Sequence, residues 1–224
     1  MRTLFNDGWE FCELPLENDS MFDGKNPILF TPDQFFQDAA ELNYQPVRIP
    51  HDWQIFHVKD LYKNSVGFYK KTFKLEQGEI RDHHLALNFE GVYMNSAVWV
   101  NGKKAGEWKY GYGTFEFDIT GLVQIGENTV QVIAVYQNPN TRWYSGAGIF
   151  RDVTLINTRK TFLASDGTYF VSKPLETDKL DKEWKIQFSA EVAGPVAGHK
   201  IVNTITDKEG NIFVKSHYPV SPLP

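Results

Sequence analysis

Apolar and polar residues alternate along most of the first 158 positions of the chain. Phe115, Phe117 and Ile119, for example, are each followed by a polar residue. A period of two places one face of a strand on a core and the other face in water. About eight such segments precede residue 158, and the one helical candidate is short, from Pro32 to Leu42. The pattern predicts an all-β chain whose first part is a two-sheet sandwich of jelly-roll type.

Two local features interrupt the alternation. Asn101 and Gly102 follow an apolar run, and this dipeptide favours the positive φ angles of a tight hairpin turn. Lys71 lies between Tyr69 and Phe73, at a position where the alternation requires an apolar residue. The sequence therefore predicts a hairpin at residues 101–102 and offers no reason for the lysine.

The pattern changes near residue 158, after which we expect four further strands. Four strands in the last 66 residues make about half of a seven-stranded immunoglobulin-like sandwich. We predict a jelly-roll domain over residues 1–158 and the truncated start of an immunoglobulin-like β-sandwich over residues 159–224. Because half a sandwich leaves an apolar face and an unpaired edge, we expect the chain to be a piece of a longer protein or to pair with a second copy. The four expected strands are Gly167–Val171, Trp184–Val192, Lys200–Thr206 and Asn211–Lys215.

Composition and charge exclude several classes of partner. The formal net charge is −5, so the chain has no basic surface suited to nucleic acid or anionic lipid. No apolar run is long enough to span a membrane. Cys12 is the single cysteine, and the first residues do not form a signal peptide. We therefore expect a cytoplasmic protein with no nucleic-acid or membrane partner.

Motifs for nucleotide binding, acyl transfer and dithiol chemistry are missing from the sequence. Adjacent histidines such as His83 and His84 point to opposite sides of a strand, so no metal site is predicted. A carboxylate pair could hydrolyse a glycoside, but the acidic residues have the spacing of solvated strand faces, and no catalytic residue is predicted. Aromatic residues in loops are more unusual, because they suit either a sugar ring or packing between domains. They are Trp108, Tyr110, Tyr112, Trp143 and Tyr144.

Several sequence strings, in a fixed order from about residue 3 to residue 156, resemble one family. They are similar to the N-terminal module of family 2 glycoside hydrolases. The most specific string closes the series and runs from Arg142 to Val153. The other strings are Pro50–Trp53, Gly67–Phe73, Phe89–Val92, Val98–Lys103 and Phe115–Thr120.

The resemblance implies both a domain plan and an activity for the parent protein. Members of the family have a jelly-roll module, an immunoglobulin-like sandwich and a TIM barrel with two catalytic glutamates. The barrel is absent from this chain, so we expect no catalytic residue here and no hydrolysis by the chain alone. The parent would be a retaining β-glycosidase of carbohydrate metabolism, with β-galactosidase favoured and β-glucuronidase or β-mannosidase as alternatives. Its partners would be a β-galactoside-type sugar, the missing barrel and, as an open possibility, further copies in a homo-oligomer.

The resemblance also implies three substrate-binding residues. Asn64 matches the asparagine of the family string Asn-x-x-Gly-x-Tyr, which touches sugar in β-galactosidases. Some members bind sugar and a sodium ion through an acidic residue just before the Trp string. This chain has Asn140 and Thr141 there, which leaves Arg142 as a substitute donor beside Trp143. No metal or other cofactor is expected in this fragment, and Mg²⁺ or Na⁺ remains open for the parent.

Two other functions compete with this interpretation. A free-standing carbohydrate-binding module would bind sugar without a barrel, through exposed aromatic residues. A purely structural or oligomerisation module would bury the same residues in protein contacts and bind no sugar.

Overall fold

The structure, a computed structural model, describes residues 1–16, 22–23, 26–27, 30–56, 59, 63–138, 146–174 and 184–220. It divides into two compact units, Met1–Asn157 and Thr158–Pro224. Strands form most of the described chain, which confirms the predicted all-β class. The strands are β1 (Arg2–Leu4), β2 (Trp9–Pro15), β3 (Phe22–Asp23), β4 (Asn26–Pro27), β5 (Gln45–Val47), β6 (Ser65–Leu75), β7 (His83–Phe89), β8 (Ser96–Val100), β9 (Lys103–Trp108), β10 (Phe115–Asp118), β11 (Gly126–Tyr136), β12 (Val153–Arg159), β13 (Phe162–Pro174), β14 (Trp184–Ala193), β15 (Lys200–Thr206) and β16 (Ile212–Pro219).

Helical structure is confined to short segments. The candidate at residues 32–42 forms two 3₁₀ turns, Pro32–Phe35 and Asp38–Ala40, rather than one helix. A further 3₁₀ turn is Gln54–Phe56, and the single-turn helix α1 spans Gln77–Ile80. In the part of the chain that the structure describes, no helix has the length and apolar character needed to cross a membrane.

The first unit contains two antiparallel sheets whose apolar faces share one core. One sheet has the order β1-β12-β7-β10, and the other has the order β5-β2-β6-β11-β8-β9. Leu87 on β7 and Val132 on β11 are fully buried in the same cluster, so the sheets form a β-sandwich. Trp9, Trp53 and Tyr69 are the largest side chains of this core. The hairpin predicted at Asn101–Gly102 joins β8 to β9.

The six-stranded sheet is buried on its second face as well. Phe68, Trp99 and Ile133 form a second core there, and the Phe36 ring stacks on Trp99 at 4.7 Å between centroids. The segment that contains the two 3₁₀ turns covers this face. The central strands therefore carry apolar residues at consecutive positions, and alternation alone does not reveal the second core.

The structure accounts for Lys71, which broke the alternation. Its side chain enters the core between the sheets, where its Nζ donates to the carbonyl oxygens of Phe5 (2.9 Å) and Asp7 (2.6 Å). The same nitrogen lies 3.6 Å from the centroid of the Phe5 ring. The ammonium group thus satisfies backbone carbonyls of the chain that leads into β2.

The second unit consists of two hairpins, β13–β14 and β15–β16, each a two-stranded sheet. Many of their large apolar side chains are exposed; Phe213, for example, is 73% exposed. A cleft of about 620 Å³ lies between the hairpins. Its apolar lining includes Phe170, Ile186, Phe188 and Val214. This unit, taken by itself, leaves its apolar side without a covering layer of described residues.

Candidate functional site

Several loops of the first unit meet at one end of the sandwich. Strand pairing establishes this arrangement, because Ser65 at the start of β6 pairs with Tyr136 at the end of β11. At the same end, Ser96 at the start of β8 pairs with Trp108 at the end of β9. The residues before β6, after β11, before β8 and after β9 are therefore neighbours. Loops grouped at the end of a rigid sandwich are a common place for binding residues.

Asn64 lies at this end, directly before β6. Its side chain is buried, and its Oδ1 accepts a hydrogen bond of 2.6 Å from the backbone N–H of Asn138. Its carbonyl oxygen accepts a second bond from the N–H of Leu16 at 3.0 Å. Asn64 thus ties the chain that leaves β11 to the chain that enters β6. Arg142 and Trp143, the other two predicted binding residues, lie outside the described residues.

Segment 51–53 makes hydrogen bonds to Ala147 and Ile149, which follow residues 139–145 in the sequence. The Oδ1 of Asp52 accepts hydrogen bonds from the N–H groups of Gln54 (3.0 Å) and Ala147 (2.9 Å). The backbone of Trp53 donates to the Ala147 carbonyl, and that of His51 donates to Ile149. Asp52 therefore caps a turn, and Trp53 packs in the core. The bond to Ala147, 95 residues away, could not be foreseen from either string.

Two glycines in this region cannot be replaced by larger residues without a clash. Gly146 has φ +70°, and a Cβ there would lie 2.3 Å from Oδ2 of Asp52. Gly148 has φ +116°, and a Cβ there would lie 2.3 Å from the hydroxyl of Tyr69. At both positions the positive φ would strain a residue that has a side chain, and the short distance leaves no space for a Cβ, so both favour glycine. The tight approach brings residues 146–149 against segment 51–53 and β6.

A buried pair of polar side chains lies beneath this contact. The Tyr69 hydroxyl is 2.8 Å from Nδ1 of His51, and it accepts a bond of 3.4 Å from the N–H of Ile149. Burial raises the pKa of Tyr69 well above its ordinary value and lowers the pKa of His51, although Asp52 and Glu13 oppose the shift of His51. Both groups are therefore neutral near pH 7 and act as hydrogen-bonding partners. No local sequence pattern predicts this pair, because His51 and Tyr69 lie 18 residues apart.

The loop aromatic residues that the structure describes separate into two groups, while Trp143 and Tyr144 lie outside the described residues. Trp108 is half-buried and stacks on Phe115, with 5.6 Å between centroids, so it belongs to the core. Tyr110 and Tyr112 are exposed in the turn between β9 and β10. Packing in the core accounts for the presence of Trp108, whereas it does not account for the exposed rings of Tyr110 and Tyr112.

The described residues offer no set of ligands for a metal ion. In the ranges that the structure describes, no group of three or more His, Cys, Asp or Glu side chains converges. The Asp52 Oδ1 already accepts hydrogen bonds from two backbone N–H groups.

Comparisons with known proteins agree on one family. The family model described as "Glycosyl hydrolases family 2, sugar binding domain" matches residues 27–159. A putative β-glucuronidase from Formosa agariphila is 28% identical over 227 residues, which cover 95% of this chain and 20% of the relative. A β-galactosidase from Bacteroides ovatus is 33% identical over 149 residues, which cover 61% of this chain and 17% of the relative. A β-glycosidase structure from Bacteroides vulgatus superposes with a TM-score of 0.72 at 25% identity, covering 97% of this chain and 27% of that one. The chain thus spans about a fifth to a quarter of the length of these proteins.

Proposed function

Since this chain belongs to family 2 of the glycosyl hydrolases, through that family's sugar binding domain, we propose that it is the non-catalytic N-terminal region of a retaining β-glycosidase. The parent hydrolyses terminal β-linked sugars, and this region shapes the entrance of its pocket and contacts its other domains. A β-galactosidase is the first choice. The relatives include a putative β-glucuronidase as well as a β-galactosidase, so β-glucuronide is the main alternative substrate and β-mannoside a further one.

The observation that carries this proposal is a pair of hydrogen bonds at Asn138 and Ala147, on either side of residues 139–145 in the sequence. Asn64 holds the chain at Asn138, and Asp52 holds it at Ala147. Groups that are already fixed in the free protein lose less entropy when a ligand binds. This arrangement supports a role for Arg142 and Trp143 as residues that meet a sugar. Asn64 is the third residue proposed to contact the sugar, since a neutral amide orients a sugar without supplying charge.

We assign no catalytic residue to this chain. Retaining hydrolysis needs a general acid and a nucleophile about 5–5.5 Å apart. The family resemblance places both in a barrel that residues 1–224 do not contain. The Asp52 carboxylate accepts hydrogen bonds from two backbone N–H groups and serves the fold.

The second unit is proposed to be the start of an immunoglobulin-like sandwich. The cleft between its hairpins and its exposed apolar side chains support this, since a sandwich buries such a face against a second sheet. Further strands of the parent would supply that sheet. The jelly-roll assignment for residues 1–158 rests on the two-sheet core of the first unit.

A hydrolysis panel tests the proposal. The full-length parent is expected to hydrolyse nitrophenyl β-galactoside faster than the corresponding β-glucuronide and β-mannoside, while residues 1–224 alone hydrolyse none of them. Release of nitrophenol is the measurement. Turnover by residues 1–224 would contradict the non-catalytic role, and a parent inactive on all three glycosides would contradict the glycosidase assignment.

Two other functions give different results in the same panel. A free-standing carbohydrate-binding module is favoured by the exposure of Tyr110 and Tyr112, and it predicts sugar affinity without hydrolysis by any longer form. A structural module predicts neither affinity nor an effect of the loop residues on hydrolysis.

A further inference from the structure

The turn between β9 and β10 presents two tyrosine rings to solvent. Tyr110 is 64% exposed and Tyr112 is 41% exposed. Their ring centroids lie 5.8 Å apart at an interplanar angle of 67°. We refer to residues 109–114 as the tyrosine turn. Exposed aromatic groups that cluster in this way commonly mark an interaction site.

The tyrosine turn is held in place from below. A Cβ on Gly111 would lie 2.2 Å from the ring of Tyr93, so the turn passes directly over that buried ring. Tyr93 also makes an edge contact with Tyr112, at 5.2 Å between centroids. The Thr114 hydroxyl donates to the Glu90 carbonyl at 3.3 Å. Because these contacts position the rings in advance, a ligand would meet a surface that loses little freedom on binding.

Two charged residues, Arg151 and Glu90, belong to segments that adjoin the tyrosine turn. The guanidinium of Arg151 lies 5.4 Å from the centroid of Phe150, whose ring contacts Tyr112 at 6.4 Å. Glu90 is tied to the same region by the bond from its N–H to the carbonyl of Asp152. Arg151 and Glu90 are exposed, and among the described residues neither charged group takes part in an ion pair or a side-chain hydrogen bond. Both groups can therefore serve a ligand.

We propose that the tyrosine turn, with Arg151 and Glu90, binds one pyranose ring of a β-linked oligosaccharide. Flat aromatic faces suit the C–H side of a sugar ring, and Arg and Glu provide a donor and an acceptor for its hydroxyl groups. The turn lies at the same end of the sandwich as Asn64, because Ser96 and Trp108 are paired there. The proposal rests on the proposed function in one respect, namely that this end faces sugar. The tyrosine turn adds a second sugar contact, for a ring other than the terminal sugar whose glycosidic bond is hydrolysed.

The size and rim of the surface favour a sugar over a protein domain. A stable protein interface covers about 800 Å² on each partner and has a largely uncharged centre. Here the segments that adjoin the two rings carry an exposed cation, Arg151, and an exposed anion, Glu90. A small site with a few polar groups around an aromatic surface is typical of small-molecule recognition.

NMR titration of residues 1–224 tests this site. The probes are lactose, a β-linked disaccharide, and methyl β-galactoside, a single ring. We expect saturable shifts of the Tyr110 and Tyr112 ring signals, with lactose binding more tightly. Tyr112→Ala is expected to weaken lactose binding about tenfold, or about 1.4 kcal/mol. Arg151→Gln is also expected to weaken lactose binding, while the Tyr110 and Tyr112 ring signals of the free protein stay where they are.

Tyr169→Ala is the matched control, because Tyr169 is 62% exposed in the second unit and lies outside the tyrosine turn. It should leave the affinity unchanged. The proposal is overturned if neither sugar produces a saturable shift, or if Tyr112→Ala binds as the unchanged chain does. It is also overturned if sedimentation shows self-association that Tyr110→Ala abolishes, since the surface would then be a protein contact.

This test and the hydrolysis panel fail independently. An active parent combined with no shifts at the tyrosine turn rejects the second sugar contact and leaves the glycosidase assignment intact. Shifts at the turn combined with a parent inactive on every glycoside reject the glycosidase and leave a sugar-binding module.

Discussion

At the scale of single residues, buried polar groups decide how distant parts of the chain meet. Lys71 connects β6 to the carbonyl oxygens of Phe5 and Asp7, more than 60 residues away in sequence. Asn64 and Asp52 make similar long-range bonds to Asn138 and Ala147. A polar group buried without a partner would destabilise the fold, so each of these bonds fixes its partner segment.

The buried lysine gives stability a characteristic dependence on pH. Burial lowers the pKa of Lys71 from 10.5 to about 8, although the Asp7 carboxylate partly opposes the shift. Between these two pH values the unfolded chain binds more protons than the folded chain, so this lysine makes the folded state more stable as pH rises. The free energy of unfolding of the unchanged protein minus that of Lys71→Met should therefore increase by roughly 2 kcal/mol between pH 8 and pH 10.5.

Urea unfolding of both proteins at several pH values in this window measures the difference. Groups that titrate in both proteins cancel in the comparison. Parallel pH profiles for the unchanged protein and Lys71→Met would show that the pKa of this lysine is not lowered by folding.

At the scale of elements, alternation predicted the strands well and the contacts between them poorly. The runs at Phe115–Ile119 and Trp184–Val192 correspond to β10 and β14, because successive side chains of a strand point to opposite faces and so give a period of two. The second core around Trp99 was not predicted, since burial on both faces removes the alternation. The sequence strings at 50–53 and 142–153 each carry the family resemblance, but neither string predicts that the two segments are in contact. Their pairing through Asp52 and Ala147 depends on how the sheets are joined, which no local pattern contains.

The contact between segments 51–53 and 146–149 can be tested at Gly148. Gly148→Ala places a Cβ 2.3 Å from the Tyr69 hydroxyl and 2.6 Å from the His51 carbonyl, at a φ of +116°. Crowding and backbone strain together should lower the free energy of unfolding by about 2–5 kcal/mol. Thermal or urea unfolding provides the measurement.

Gly121→Ala is the matched control for this substitution. A Cβ at Gly121 meets no atom within 4 Å, and its φ is not in the left-handed region. We expect a change of about 0.5 kcal/mol or less there. Equal destabilisation by the two substitutions would contradict the close approach at Gly148.

At the scale of the whole molecule, the two units differ in how completely they bury their apolar residues. The first unit encloses a core between two sheets and groups the loops before β6, after β11, before β8 and after β9 at one end. The second unit leaves Phe170, Ile186 and Phe213 exposed. This difference agrees with the proposal that the first unit is a complete sandwich and that the second needs further strands of a longer glycosidase. The family match over residues 27–159 also lies almost entirely in the first unit.

The most direct test of the central claim is the effect of Asn64→Ala and Arg142→Ala on β-galactoside hydrolysis by the full-length parent. A lost hydrogen bond to a sugar hydroxyl weakens the bound substrate and the transition state alike, so KM should rise about tenfold with little change in kcat. Arg159→Ala is the control for Arg142→Ala, because Arg159 is exposed at the end of β12. The unfolding midpoint of Asn64→Ala separates the lost sugar contact from the lost bond to Asn138. Unchanged KM values in both variants would contradict a sugar-facing role for this end of the sandwich.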